Sequence, residues 1–444
     1  MTPRRPQSRR RGQPSAERRA EAVPAGASDT RRPRRGRERG HRHAVAAAIT
    51  LAYLLAGGAA VLAGRRVPDG GWLALHLVLL GAVTNAIVVW SEHFAAALLH
   101  ARPVSDRSAL ARLAGLNLGV VAVLAGVHGG RPALVAMGVG LVGVVVAGHA
   151  LVLMRWLRRG LSARLGDTVW FYVAAGGALL AGMGLGLVLS SGQVGSAEAY
   201  RALRLAHAHL NLLGWIGLTV IGTQFTLWPT VLRTRMVAGR WLSNAARWAF
   251  LLCVGGLVVV TAGLSAQQRG VAVTGLAVYA GGLGAALGPF LATMRRRRPA
   301  SAAAWMLAAG IGWFVLAVVA DLVVLLGSAR VVDLDTHMGR LLPAVALGFG
   351  LQVLTGALSF LLPVVWGRGA RGNRRLTRLL EVGWPARVVA LNLGVALRTL
   401  AARDGWLART GWWLVGLSLG SFVLLALVAL VWNQPNRALR AHRS

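Results

Sequence analysis

Long apolar blocks, separated by short arginine-bearing stretches, organise most of the chain. From Ala44 onward twelve of them recur, at about 44–64, 72–99, 109–127, 133–154, 168–190, 204–231, 244–265, 271–294, 302–327, 337–366, 386–402 and 411–432. Each is close to the ~20 residues with which a helix crosses a hydrocarbon core of ~30 Å. The pattern predicts an all-α membrane protein, a twelve-transmembrane-helix bundle over residues 44–432. The eleventh block is the weakest, because Arg398 stands near its end. Residues 1–43, rich in Arg, Pro, Ser and Gly, hold almost nothing that could fill a core and are predicted to be a disordered cytoplasmic tail. This basic stretch is too long for a cleaved signal peptide, and further spans follow the first. Residues 433–444 are expected to form a short cytoplasmic C-terminal tail.

Composition sharpens this picture. Of the 444 residues 55% are apolar and 14% charged, against roughly 25% charged in soluble domains. The formal net charge of +35 would suit a nucleic-acid binder. Its distribution speaks against one. All 49 basic residues are arginine, which with the Ala, Gly and Val load fits the coding bias of a GC-rich bacterium. Fourteen of them lie in the first 43 positions, a segment with no aromatic residue to stack on bases, so no nucleic-acid partner is expected. Such a segment is instead drawn to anionic lipid and biases the first span to insert with its N-terminus inside. With the tail inside, inner loops and span ends carry 24 arginines and outer ones 11, so both termini are expected on the cytoplasmic face of a bacterial plasma membrane.

The single cysteine, Cys253, excludes a disulfide framework and a CxxC site. No P-loop, nucleophile elbow, His-Glu-x-x-His or heme-attachment Cys-x-x-Cys-His is present, which leaves ATP-driven transport and hydrolysis without sequence support. An internal similarity is visible: Leu-Asn-Leu-Gly-Val occurs at 116–120 and again at 391–395. At the same offset, residues 81–84 face 356–359, which suggests repeated units.

Ionisable groups inside a membrane are costly, and each is a candidate site. His76, His207, His209 and His337 all lie near the outer ends of spans two, six and ten, at one expected depth. Interfacial snorkelling would explain any one of them; four on every fourth helix suggest a shared cofactor or metal. At 100° per residue, His207 and His209 point to opposite faces and cannot chelate one ion from a regular helix. His209 is expected to face the interior shared with His76 and His337, and His207 a different neighbour. Glu92, the acid deep within a span, stands beside His93. The two are candidates for a proton path, or Glu92 is paired with a nearby His or inner-leaflet Arg. Asp321 and Arg340, both in the outer third, are expected to form an ion pair, with Asp333 and Asp335 as other partners for Arg340.

This layout resembles the large subunit of heme-copper oxidases and nitric oxide reductases, and the NnrS-type membrane proteins of the nitric-oxide response. The local text that carries the resemblance is His207-Ala-His209-Leu-Asn211-Leu-Leu-Gly214-Trp215, with the His-plus-five Gly spacing repeated in His76-Leu-Val-Leu-Leu-Gly81. The resemblance implies a low-spin heme held between His76 and His337, with Arg340 and Arg398 toward its propionates. It also implies a metal-ligand histidine on span six, His207 or His209, for copper or a second heme. The seventh block holds no histidine and the tenth only His337, so a complete dinuclear oxygen-reducing centre is not expected. The function implied is an oxidoreductase-type heme- or copper-binding protein, in respiratory electron transfer or nitrogen-oxide handling, supplied by a respiratory electron donor. Two other classes stand beside it: a secondary transporter, and a non-catalytic membrane partner of a respiratory complex.

Overall fold

A computed structural model describes residues 31–159, 166–235, 240–367, 369–401 and 405–432. Its helices are α1 (Arg31–Ala63), α2 (Gly70–Leu98), α3 (Asp106–His128), α4 (Pro132–Arg159), α5 (Gly166–Ser190), α6 (Ala197–Val231) and α7 (Arg240–Ser265). They continue as α8 (Arg269–Arg296), α9 (Ala302–Gly327), α10 (Val331–Trp366), α11 (Gly369–Leu380), α12 (Trp384–Leu400) and α13 (Trp406–Trp432). No strand occurs among the described residues. Among the described residues eleven helices are long and apolar enough to cross a membrane, which fits a multi-pass protein in a lipid bilayer. The eleventh expected span is the shorter α12, which follows α11 across a 44° bend.

The basic N-terminal segment divides. Residues 1–30 and 433–444, the bulk of the two expected tails, lie outside the described residues. Arg31 to His43 continue α1. The sequence reading ended order at the last apolar residue. A helix already nucleated in the span, however, propagates through arginine at little cost.

Burial sorts the helices into two classes. The apolar windows of α6 and α10 are 78% and 83% buried, and that of α2 is 50%; most of the others are near 33–44%. The helices α2, α6 and α10 therefore form the centre, and the rest surround it. Each central helix is interrupted by a π-helical stretch: Leu77–Val83, Leu210–Leu218 and Ala344–Leu351. The residues immediately before these stretches are His76, His209 and Pro343. Five residues beyond each stands a glycine, Gly81, Gly214 or Gly348.

These glycines are required by close approach. A Cβ on Gly81 would lie 2.4 Å from Tyr53 of α1, on Gly214 2.5 Å from Ala178 of α5, and on Gly348 2.6 Å from Trp313 of α9. The helix preceding each central helix thus packs its side chain into a widened turn, and the arrangement occurs three times. A second element also occurs three times. The pairs α3–α4, α7–α8 and α11-following α12–α13 are tight antiparallel hairpins with glycine at the crossing. At Gly275 a Cβ would stand 2.1 Å from the Val260 backbone nitrogen. Small residues let backbones meet, and dispersion then does what the hydrophobic effect cannot do between helices in lipid.

The hairpin contact makes a prediction. Gly275→Val should destabilise the protein by about 2 kcal/mol or more through overpacking, read as a lowered melting temperature in detergent. Gly281→Ala, which meets nothing within 4 Å, should leave the melting temperature unchanged.

Candidate functional site

The four outer histidines share one local device. In each, Nδ1 donates to a carbonyl: His76 to Trp72 at 2.8 Å, His209 to Leu205 at 2.8 Å and His337 to Asp333 at 3.2 Å, all one turn back, and His207 to Gly182 of α5 at 2.7 Å. A carbonyl can only accept, so Nδ1 carries a proton in every case. What differs is Nε2. In His76 and His337 it has no bond to another side chain among the described residues, and in His207 it meets only the Asn211 amide at 3.5 Å. The His76 ring is stacked on Trp72 with centroids 4.2 Å apart.

His209 is committed elsewhere. Its Nε2 lies 2.8 Å from Oδ2 of Asp321 on α9, with both side chains buried. Since Nδ1 already holds a proton, the Nε2–Oδ2 contact holds a further one, on the ring or on the carboxyl. The pair borders a cavity of about 30 Å³ whose other walls include Leu212, Ala317, Met338 and Val345. Oδ1 of Asp321 is buried and unpartnered among the described residues.

Two expectations are corrected here. Asp321 pairs with His209, not with Arg340. Asp335 pairs with Arg204 and Asp333 with Arg330, so neither aspartate is given to Arg340, which is exposed. The sequence shows that these groups share a depth, but depth alone does not choose among partners on neighbouring helices. On span six, His207 and His209 do point to opposite faces: His209 is buried toward α9 and α10, the helix that carries His337, and His207 meets Gly182 and Gly186 of α5.

His337 also departs from the expected common depth. Taking the π stretches as the register, Pro343 occupies the place of His76 and His209. His337 lies six residues earlier, about 9 Å along a helix axis. Arg398 on α12 places its guanidinium 4.9 Å from the Trp412 ring, a cation–π contact.

The opposite end of α2 is built from ion pairs. Glu92 accepts from Arg112 at 2.5 Å and from Arg42 at 3.4 Å, so both carboxylate oxygens are engaged by guanidinium donors from α3 and α1. This is the arginine pairing that stood as an alternative to a proton path. His93 has its ring centroid 5.1 Å from that of His43 and 5.5 Å from that of Trp90. Next to Glu92, Ser91 bonds His149 of α4 at 3.0 Å, and deeper in α2 Asn85 exchanges two amide bonds with Asn117 of α3.

Between the two ends lie further contacts, of which those of Tyr279, Phe314 and Phe349 have no counterpart in the sequence reading. The Tyr279 hydroxyl donates to the Leu213 carbonyl, a backbone acceptor inside the π stretch of α6. Trp215 donates to Thr84, tying α6 to α2. Phe314 and Phe349 stack at 4.0 Å. Gln352 is wholly buried, and neither of its amide atoms has a partner among the described residues. Gln352 belongs to a small and polar stripe of the tenth block, with Gly348, Thr355 and Ser359, that is visible in the sequence.

Among the described residues no three His, Cys, Asp or Glu side chains gather as metal ligands would. No protein-family model matches the chain, and no curated protein does.

The Glu92 clamp is testable by substitution. Glu92→Leu leaves two largely buried guanidiniums without their acceptor and should cost about 3–5 kcal/mol, seen as a large fall in melting temperature. Glu198, half-exposed at 3.7 Å from Arg330, is the contrast: Glu198→Leu should cost no more than ~1 kcal/mol.

Proposed function

We propose that the chain is an integral membrane heme-binding protein of the heme-copper oxidase or NnrS type. Its setting is respiratory electron transfer or nitrogen-oxide handling at a bacterial plasma membrane, with both termini cytoplasmic. The observation that carries this reading is the placement of His76 and His337 on two of the three central helices, each with Nδ1 tied to a carbonyl and Nε2 left available. A ring so held offers a fixed and more basic Nε2, which is how ligating histidines are commonly oriented. A heme bound there supplies one-electron chemistry at its iron.

His76 is the first axial ligand in this reading. His337 is the second by the resemblance. The exposed Arg340, three residues from His337, is placed to meet a propionate by its guanidinium fork. Arg398, the other propionate candidate, is stacked on Trp412. The copper reading rests on His207 and His209 and is weaker, because the Nε2 of His209 is taken by Asp321. A respiratory electron donor is the partner this function requires.

A secondary transporter is the second reading, and one observation favours it. A buried His–Asp pair holding a proton beside a small cavity, between α6 and α9, is the kind of group that couples proton movement to transport.

A visible spectrum of the purified protein separates the two. The heme reading expects a Soret band that shifts on reduction. His76→Ala should abolish the low-spin signal, and His128→Ala should leave it intact. A well-folded protein from heme-replete cells with no Soret band would contradict the heme reading and leave the transporter class.

A further inference from the structure

We propose that α11, together with the buried Arg387 beyond its end, forms a binding site for the phosphate group of an anionic phospholipid. The segment is set apart by its pattern. Arg371, Arg374, Arg375 and Arg378 fall within an arc of about 100° when wound as a helix, and Leu376 and Leu380 lie opposite. Those two leucines are buried and all four arginines are largely exposed. A short helix with one apolar side and one guanidinium-covered side lies along a membrane surface, with its charge toward lipid headgroups.

Buried donors against the two ends of α11 supply the second, independent observation. Arg387 is 6% exposed. One of its terminal nitrogens donates to the Leu380 carbonyl at the end of α11. Its Nε and other terminal nitrogen are shielded and have no acceptor among the described residues. Trp366, 2% exposed at the end of α10, likewise has an unpartnered indole N–H. Its neighbour Gly367 packs directly against the α11 backbone at Asn373. Every unpartnered group here is a donor, and a buried donor without an acceptor is costly. Glu381 acts on Arg387 only through space.

A phosphodiester satisfies these groups, since its oxygens match a guanidinium fork bidentately. The surroundings favour a lipid over a free anion. Val364, Val382 and Trp432, around the same helix, are all more than half exposed and offer apolar surface to acyl chains. Arg375 lies over the Trp432 ring at 4.5 Å, a contact typical of the interfacial belt.

The test uses the full chain in detergent and native mass spectrometry with phosphatidylglycerol or phosphatidylcholine of identical acyl chains. Phosphatidylglycerol should be retained roughly tenfold better, the worth of about one charge-assisted hydrogen bond. Millimolar inorganic phosphate should not displace it. Arg387→Lys should lose the preference. Because that change also removes the bond to Leu380, two further variants decide if it fails to fold. One is Trp366→Phe, which removes the N–H together with part of the indole ring. The other replaces the four exposed arginines of α11 with glutamine. Equal retention of the two lipids would overturn the proposal. So would an unchanged preference in both further variants, or complete displacement by inorganic phosphate.

Discussion

A polar side chain inside a hydrocarbon layer must find a partner, and that requirement organises this protein. The surrounding helices offer lipid an almost wholly apolar surface and meet one another through glycine. Polar groups concentrate on α2, α6 and α10, the helices that lipid reaches least. On α2 and α6 most are answered in pairs, His209 by Asp321, Glu92 by Arg42 and Arg112, Asn85 by Asn117, and Trp215 by Thr84, while Gln352 of α10 is buried without a partner among the described residues. Each pair joins two helices, so the satisfaction of polar groups also holds the bundle in register.

The π-helical stretches belong to the same logic. Widening a turn frees carbonyls from the regular ladder and makes room beside it, and such turns are common at functional sites. Here the freed backbone at Leu213 is met by Tyr279, and the room at Gly81, Gly214 and Gly348 is filled by a neighbouring helix. Two of the three stretches follow directly on a histidine. The centre of the bundle is thus where the backbone is least regular and where the chemistry-bearing side chains are held most firmly.

Much of this was legible in the sequence. Apolar block length marks the spans because crossing a membrane is a one-dimensional constraint. The His-plus-five Gly spacing is visible at His76 and His209. Its third instance is hidden because Pro343, not histidine, precedes Gly348, so a reader following histidines is led to His337. The repeated Leu-Asn-Leu-Gly-Val stands on α3 and α12, yet Asn117 meets Asn85 while Asn392 accepts from Trp313. Partner choice was the illegible part. Which acid answers which base depends on the rotation of each helix in its bundle, and that is fixed by packing across helices far apart in sequence. The same limit concealed Arg387, whose burial beneath α11 follows from a bend that no local pattern announces.

The central claim is that the inward imidazoles of the central helices hold a heme iron. Pulsed electron paramagnetic resonance on the oxidised purified protein, with histidine labelled with nitrogen-15, tests it most directly. The account predicts a low-spin ferric signal coupled to two histidine nitrogens, one of which vanishes in His76→Ala. A heme signal with no histidine coupling, or a folded protein from heme-replete cells with no ferric heme signal at all, would contradict it.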